Sequence, residues 1–251
     1  MKRFTPLFLL LAATLGCVWT ETIESTRVPQ SEIRQTYRVS ADRNKTRIAA
    51  VFNHGDWGRT VDLDAPSRIE HNGREMPQIS PNFFKGTTYE SAADGSDAAH
   101  EFVYTNGEGQ VFRNRMSFLP VEIVVDGELV LSRSQTVVVR LSRPIAEEER
   151  MRITLSSLEP RPSASPDGET AGNAKPAIGA QKQIYELSLT DELSPDRTAI
   201  SLKPKDTKKF ARGRAVLAIE VGCELPLQQS NAAGGSMSWT YVSNVPAIVE
   251  D

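Results

Sequence analysis

The sequence predicts an all-β fold made of two β-sandwich domains, and three observations support this prediction. Apolar residues recur at every second position over short runs, as in strands that bury one face. Turn-forming pairs such as Asn72-Gly73 separate these runs. After the first 16 residues, no long segment has a helical period. The remaining 235 or so residues exceed the usual size of one domain, about 100 to 150 residues, so two domains are expected.

The first domain is predicted over residues 30–119. The run "IRQTYRV" places Ile33, Tyr37 and Val39 on one face of a strand and polar residues on the other. Asn72-Gly73 lies between extended flanks and readily supplies the positive φ angles of a type I′ hairpin. Further strands are expected at Thr46–Phe52, Arg59–Pro66, Phe102–Thr105 and Val111–Phe118.

The second domain is predicted over residues 120–251. Its strands begin with "VEIVVDGELVL", which Asp126-Gly127 interrupts, and continue in "QTVVVRL" and "RMRITL". Residues 159–181 contain four prolines and no periodicity, which predicts a flexible surface insertion. Strands resume at "QIYELSL", "TAISL", "RAVLAIEV" and "SMSWTYV". The strands before the insertion are too few to close a sandwich alone, so we expect one domain that carries an insertion.

The amino-terminal residues predict export and lipid attachment. Lys2 and Arg3 precede an apolar stretch that is too short to span a bilayer, which is typical of a secretory signal over residues 1–16. "TLGC" resembles the lipobox of bacterial lipoproteins, although Thr14 stands where Leu is usual. The resemblance implies that Cys17 carries three acyl chains, which together anchor a protein stably. Residues 17–29 are then the lipidated tether.

The residue after Cys17 and the second cysteine bear on this predicted location. Val18 follows the cysteine where an Asp would retain an enteric lipoprotein in the inner membrane, so the resemblance implies the outer membrane of a Gram-negative bacterium. The alternative is an ordinary signal peptide in which Cys17 has no special role. The second cysteine, Cys223, lies in an apolar run, and we expect an inert thiol in the core. A Cys17–Cys223 disulfide is the competing possibility, and it would exclude lipidation.

Several segments resemble uncharacterised lipid-anchored envelope proteins of Gram-negative bacteria. The resemblance rests on "VDLDAPSRIEHNGREM", "GTTYES", "EFVYTNGEGQVFRN", "LSRSQTVVVRLSRPI" and "GGSMSWTYVSNV". It implies that both sandwich domains are immunoglobulin-like, although the Cys…Trp…Cys pattern of true immunoglobulin domains is missing. It implies no activity for any residue.

No motif in the sequence predicts a metal site or a cofactor. The three histidines are His54, His71 and His100, and Asp56 and Asp97 lie near two of them. Their spacing matches no zinc-binding pattern. His71 adjoins a predicted turn, where we expect a solvated side chain.

No motif predicts an active site either. Asp94 and Asp97 flank a glycine without the EF-hand pattern, which indicates an acidic hairpin tip rather than a Ca²⁺ loop. "GGSMS" at Gly234–Ser238 is not a nucleophile elbow, since neither a helix nor a histidine base accompanies it.

The basic run Lys203–Arg214 carries six cations and one carboxylate in an otherwise acidic chain. It is either a patch for an anionic partner or a connection that charge keeps soluble. The chain has a formal charge of −3, and residues 18–251 lack Lys2 and Arg3, which leaves −5, so nucleic acid is not an expected partner.

These observations favour a non-enzymatic, lipid-anchored envelope protein. Its partners would be the membrane, through Cys17, and a protein or glycan that its loops or strand edges bind. The alternative is an envelope hydrolase, or another enzyme, without a recognisable signature. The sequence leaves the oligomeric state open.

Overall fold

The computed structural model describes residues 22–55, 59–79, 86–95, 99–157, 184–187 and 193–251. This part contains 18 strands and one short helix, with 3-10 turns at Ser25–Arg27 and Gln30–Glu32. The prediction of an all-β fold is therefore confirmed.

The first ten strands belong to residues 22–117. In chain order they are β1 (Thr22–Glu24), β2 (Ile33–Asp42), β3 (Lys45–His54), β4 (Arg59–Asp62), β5 (Arg68–His71), β6 (Arg74–Glu75), β7 (Gln78–Ile79), β8 (Thr88–Asp94), β9 (Ala99–Thr105) and β10 (Val111–Ser117).

The remaining strands are β11 (Ile123–Val124), β12 (Leu129–Ser132), β13 (Val137–Leu141), β14 (Arg150–Ser157), β15 (Ile184–Leu187), β16 (Ala199–Leu202), β17 (Gly213–Pro226) and β18 (Gly235–Glu250). The helix α1 (Pro204–Thr207) lies between β16 and β17. Strands β17 and β18 are the longest, with 14 and 16 residues.

One large sheet extends through the described part of the molecule. Its strands follow the order β1-β4-β3-β2-β18-β17-β14-β15, with β8 beside β3, β7 beside β8, and β12 beside β18. The first half of β18 pairs in parallel with β2, and its last residues pair in parallel with β12. A single strand thus joins residues from both sides of the predicted domain boundary at residue 120.

Two smaller sheets accompany the large one. Strands β10-β9-β5-β6 form one, and β11-β13-β16 form the other. Aromatic rings join the first of them to the large sheet: Tyr37 stacks on Phe102 at 4.5 Å, Phe52 lies 4.7 Å from Tyr104, and Phe118 stacks on Trp239 at 5.1 Å between ring centroids. Buried residues of all three sheets form one continuous apolar core.

The alternating pattern places the predicted residues as expected. Ile33, Tyr37 and Val39 are at most 1% exposed, and Gln35 on the same face is also buried, whereas Arg34 and Arg38 are exposed. Asn72 and Gly73 have φ angles of 48° and 74°, so both adopt the positive φ that a type I′ hairpin requires. Gly127, with φ of 93°, separates β11 from β12 at the predicted turn.

Glu122 connects the two halves of the fold. Its carboxylate accepts hydrogen bonds from Tyr241 Oη, from Ser243 Oγ at 2.8 Å and from Arg43 Nη2 at 3.1 Å. Burial raises the pKa of Glu122, but these three hydrogen bonds outweigh it and hold the pKa below its usual value. The ionised carboxylate is therefore the form that the fold favours.

Several predicted segments lie partly or wholly outside the described residues. Residues 1–16, Cys17 and the insertion 159–181 are outside them. Within the predicted tether, Thr22–Glu24 forms β1, which pairs with β4, and Val28 is 6% exposed.

Candidate functional site

The end of β17 forms an open sheet edge. Strand β14 pairs with β17 only from Ala215 to Gly222. Strand β17 then continues to Pro226 with β18 on one side and, among the described residues, no strand on the other. Over residues 223–226 the large sheet therefore ends at β17.

The direction of the backbone groups at this edge follows from the register. Gln35 N–H donates to the carbonyl of Gly234 at 3.1 Å, so even-numbered residues of β18 point their backbone groups toward β2. Odd-numbered residues of β18 then point toward β17, where Trp239 pairs with Cys223. Since backbone groups alternate along a strand, the N–H and C=O of Glu224 face the open edge.

Two adjoining hollows lie beside the open edge, and we call them together the edge cleft. The smaller has a volume of about 430 Å³ and the larger about 640 Å³. Glu148, Glu149, Cys223 and Trp239 line both. The smaller hollow is mainly apolar, with Ala99, Phe118, Leu119 and Leu225 in its wall, whereas the larger is charged, with Glu147, Arg150, Arg152, Arg197, Glu220 and Glu224.

A buried ion pair fixes one wall of the edge cleft. The guanidinium of Arg143 donates to both carboxylate oxygens of Glu149, at 2.7 and 2.8 Å. It also donates to the carbonyls of Leu119 and Pro144. All five N–H groups of the Arg143 side chain thus have acceptors. These hydrogen bonds hold Glu149, just before β14, close to Leu119, which follows β10.

The thiol of Cys223 points into the edge cleft from the core face of β17. It is 8% exposed and is a free thiol, which confirms the prediction of a buried cysteine. Burial, together with the negative charges of Glu148 and Glu149, raises the pKa of Cys223. Because the thiolate is the nucleophile, this thiol is a weak one at neutral pH.

Strand β10, whose last residue Ser117 lines the smaller hollow, has a covered edge. There, side chains of the β17–β18 connection cover the outer edge of β10. The Gln228 amide accepts from Arg115 N–H at 2.6 Å and donates to Arg115 C=O at 2.7 Å, as a neighbouring strand would. The Gln229 amide oxygen accepts from Arg113 N–H at 2.7 Å. Such capping prevents a foreign strand from pairing there.

The rim of the edge cleft is acidic. Glu148 and Glu224 are both exposed, and neither forms an ion pair within the described structure. Arg150 begins β14 next to the open edge, and Arg152 lies further along the outer face, where it pairs across strands with Glu220. Beside the open edge the exposed carboxylates of Glu148 and Glu224 therefore outnumber the single cation, Arg150.

The histidines form no common site in the described structure. His54 Nε2 lies 2.8 Å from a Glu32 oxygen, and its predicted neighbour Asp56 is outside the described residues. His71 and His100 form a buried pair, with His71 Nε2 and His100 Nδ1 3.0 Å apart. The prediction of a solvated His71 is wrong, because β5 turns this side chain toward the core, where it is 9% exposed.

The other residues considered in the sequence form no common site within the described structure. Asp94 ends β8, and Asp97 lies outside the described residues. Gly235–Ser238 of the "GGSMS" segment belongs to β18 and not to a strand–helix elbow. Within the described ranges, no group of three or more His, Cys, Asp or Glu residues could hold a metal ion.

The basic run is only partly solvated. Asp206, Thr207 and Phe210 are at most 4% exposed and attach the run to the core, whereas most of its cations point outward. Arg212 forms an ion pair with Asp251, and Lys209 lies 3.9 Å from Asp206. The run is thus an anchored basic surface with a short helix, α1, inside it.

The edge cleft is not evident from the sequence. Cys223 was singled out, but Glu148, Glu224 and Leu225 were not. One signal was present: "GCELP" places charge and proline at alternate positions of a strand, which is typical of an edge strand.

Comparison with known proteins assigns no family. No protein-family model matches the chain, and no curated protein matches its sequence. Among the described residues, no helix has the length and apolar character needed to cross a membrane.

Proposed function

We propose that this protein is a non-enzymatic binding module of the cell envelope, anchored by lipid on Cys17, and that it binds its partner in the edge cleft. The observation that carries the proposal is the open edge of β17 beside an apolar hollow with an acidic rim. Natural proteins usually cover or distort such edges. An edge that stays open next to apolar side chains is typical of a binding surface.

The chemistry of the cleft supports binding more than catalysis. Its thiol has a raised pKa, so it is a poor nucleophile. Its best-placed cation, Arg143, is already bound to Glu149 and to backbone carbonyls. The acidic and apolar walls, in contrast, are available to a partner.

The proposed architecture is that of two immunoglobulin-like sandwiches. Its support is the pairing of the large sheet with two smaller ones, together with the resemblance to lipid-anchored envelope proteins. The long β17–β18 hairpin would be shared between the two sandwiches. The outer membrane of a Gram-negative bacterium remains the proposed location.

Site-specific photo-cross-linking in intact cells tests the binding surface. A photoreactive amino acid at Leu119, which is 66% exposed on the cleft lip, should give an adduct of defined mass. The same amino acid at Val138, which is 61% exposed on β13, is the matched control and should give none. Ser117→Trp should remove the adduct by filling the cleft from an exposed position. Equal cross-linking from Leu119 and Val138 would contradict the proposal.

Metabolic labelling tests the anchor separately. The wild-type chain should incorporate a clickable fatty acid and partition into detergent, and Cys17→Ser should lose both properties because it lacks the acylated sulfur. Equal labelling of Cys17→Ser would rule out the lipid anchor while leaving the binding surface intact.

A further inference from the structure

The edge cleft is built to receive one extended peptide strand. We propose that a short partner segment with an apolar–basic–apolar sequence adds to β17 opposite Glu224. This inference rests on the proposed binding function of the edge cleft, and it names the chemistry of the partner.

The backbone N–H and C=O of Glu224 are positioned to pair with an added strand. Glu224 directs both its N–H and its C=O away from β18, and β14 begins only at Arg150, opposite Gly222. Within the described part of the chain, the Glu224 carbonyl has only a long contact of 3.6 Å with the Cys223 thiol. A strand placed here could exchange two backbone hydrogen bonds with Glu224.

Pro226 limits the length of the added strand. It is the next residue of β17 that faces the open edge, and it has no N–H to donate. Its carbonyl can still accept one hydrogen bond from the incoming strand. Pairing is therefore short and is centred on Glu224.

The side chains specify what the partner presents. The partner residue opposite Glu224 places its side chain on the outer face, beside the Glu224 carboxylate. Its two neighbours point to the inner face, where Leu225, Phe118 and Trp239 line the smaller hollow. The inner neighbours should thus be apolar, and the central residue should be Lys or Arg.

Charge also argues against a second copy of this chain as the occupant. Two β17 edges paired about a two-fold axis would place Glu224 directly opposite its own copy. Like charges in opposite positions of a sheet are destabilising. The acidic Glu148 would approach the same region from both chains. A basic segment of another protein avoids this repulsion.

The contrast with β10 strengthens the inference. Both strands border the same cleft, yet Gln228 and Gln229 occupy the hydrogen-bonding groups of β10. No described residue does the same for Glu224. Among the described residues, the edge of β10 is covered and that of β17 at Glu224 is available.

The test uses the full chain purified in detergent and a fluorescein-labelled peptide, Gly-Ser-Val-Lys-Val-Ser-Gly. Binding is followed by anisotropy, and hydrogen exchange of the Glu224 amide reports on backbone pairing. We expect saturable binding and slower exchange at Glu224. A peptide N-methylated at the lysine should have an affinity lower by a factor of about ten or more. It loses one backbone hydrogen bond, and its methyl group collides with the edge of β17.

Reversing the charge of the central peptide residue, and then that of Glu224, tests whether the two side chains interact. Replacing the central lysine of the peptide with glutamate should weaken binding about two- to fivefold. Glu224→Lys should reverse that preference. Glu90→Lys is the control, because Glu90 is an exposed glutamate on β8 of the same sheet and lines neither hollow of the edge cleft. It should leave the preference unchanged.

Several results would overturn the inference. One is equal binding of the N-methylated peptide, and another is no binding of any peptide at millimolar concentration. A dimer of the chain that Ser117→Trp dissociates by filling the cleft would identify a second copy as the occupant instead. If Leu119 cross-links to a glycan, the proposed binding function stands and the strand-addition inference fails. If neither cross-links nor peptide binding occurs, both fail.

Discussion

Replacing Arg143 by alanine should destabilise the protein substantially. The side chains of Arg143 and Glu149 are 18% and 8% exposed, and two hydrogen bonds join them. Removing the guanidinium leaves the Glu149 carboxylate buried with the Ala146 N–H, at 2.8 Å, as its remaining donor. Breaking a buried ion pair in this way costs about 3–5 kcal/mol. Since Arg143 retains some exposure, we expect a loss of about 3 kcal/mol in the free energy of unfolding.

Denaturant titration and calorimetry measure this loss. For a chain of this size, each kcal/mol changes the melting temperature by about 2–4 °C, so the transition should fall by about 6–12 °C. Glu149→Leu in the Arg143→Met background removes both charges and should recover most of the stability, because no unpaired charge remains. Arg143→Ala within about 0.5 kcal/mol of the wild type would refute the reasoning, since it would show that water already solvates the pair.

Two further predictions concern ionisation and surface charge. Because the pKa of Glu122 is lowered in the folded state, its carboxylate stabilises the fold above the ordinary value of 4.5, and this contribution disappears as the pH falls through the lowered pKa. Stability measured from about pH 6 to pH 3 should therefore decline less steeply in Glu122→Gln than in the wild type; equal slopes would contradict this. Retention of the protein on anionic vesicles should decrease steeply as the salt concentration rises. The double variant Lys208→Glu/Lys209→Glu should not be retained. If neither salt nor the double variant reduces retention, the basic run has no binding role.

Local sequence was sufficient for the strands and their turns. The two-residue period predicted β2 and the buried face that contains Tyr37, because the pleat itself alternates side chains between two faces. The hairpin at Asn72-Gly73 was equally local, since its positive φ angles depend on the turn residues themselves. In contrast, the position of His71 depended on which face of β5 meets the core, and four residues of strand are too few to show this.

The sequence by itself determined the all-β class and the turn positions, and lipid attachment at Cys17 stays a prediction from it. Only the tertiary structure decided which strands meet. The pairing of β18 with β2 joins residues about 200 positions apart, and no local period specifies such a partner. That pairing fixes which way Glu224 directs its backbone groups, and because β14 begins only at Arg150, no strand of the described residues lies beside them. The edge cleft therefore depends on contacts between distant segments, because an open edge is a property of the whole sheet and not of one strand.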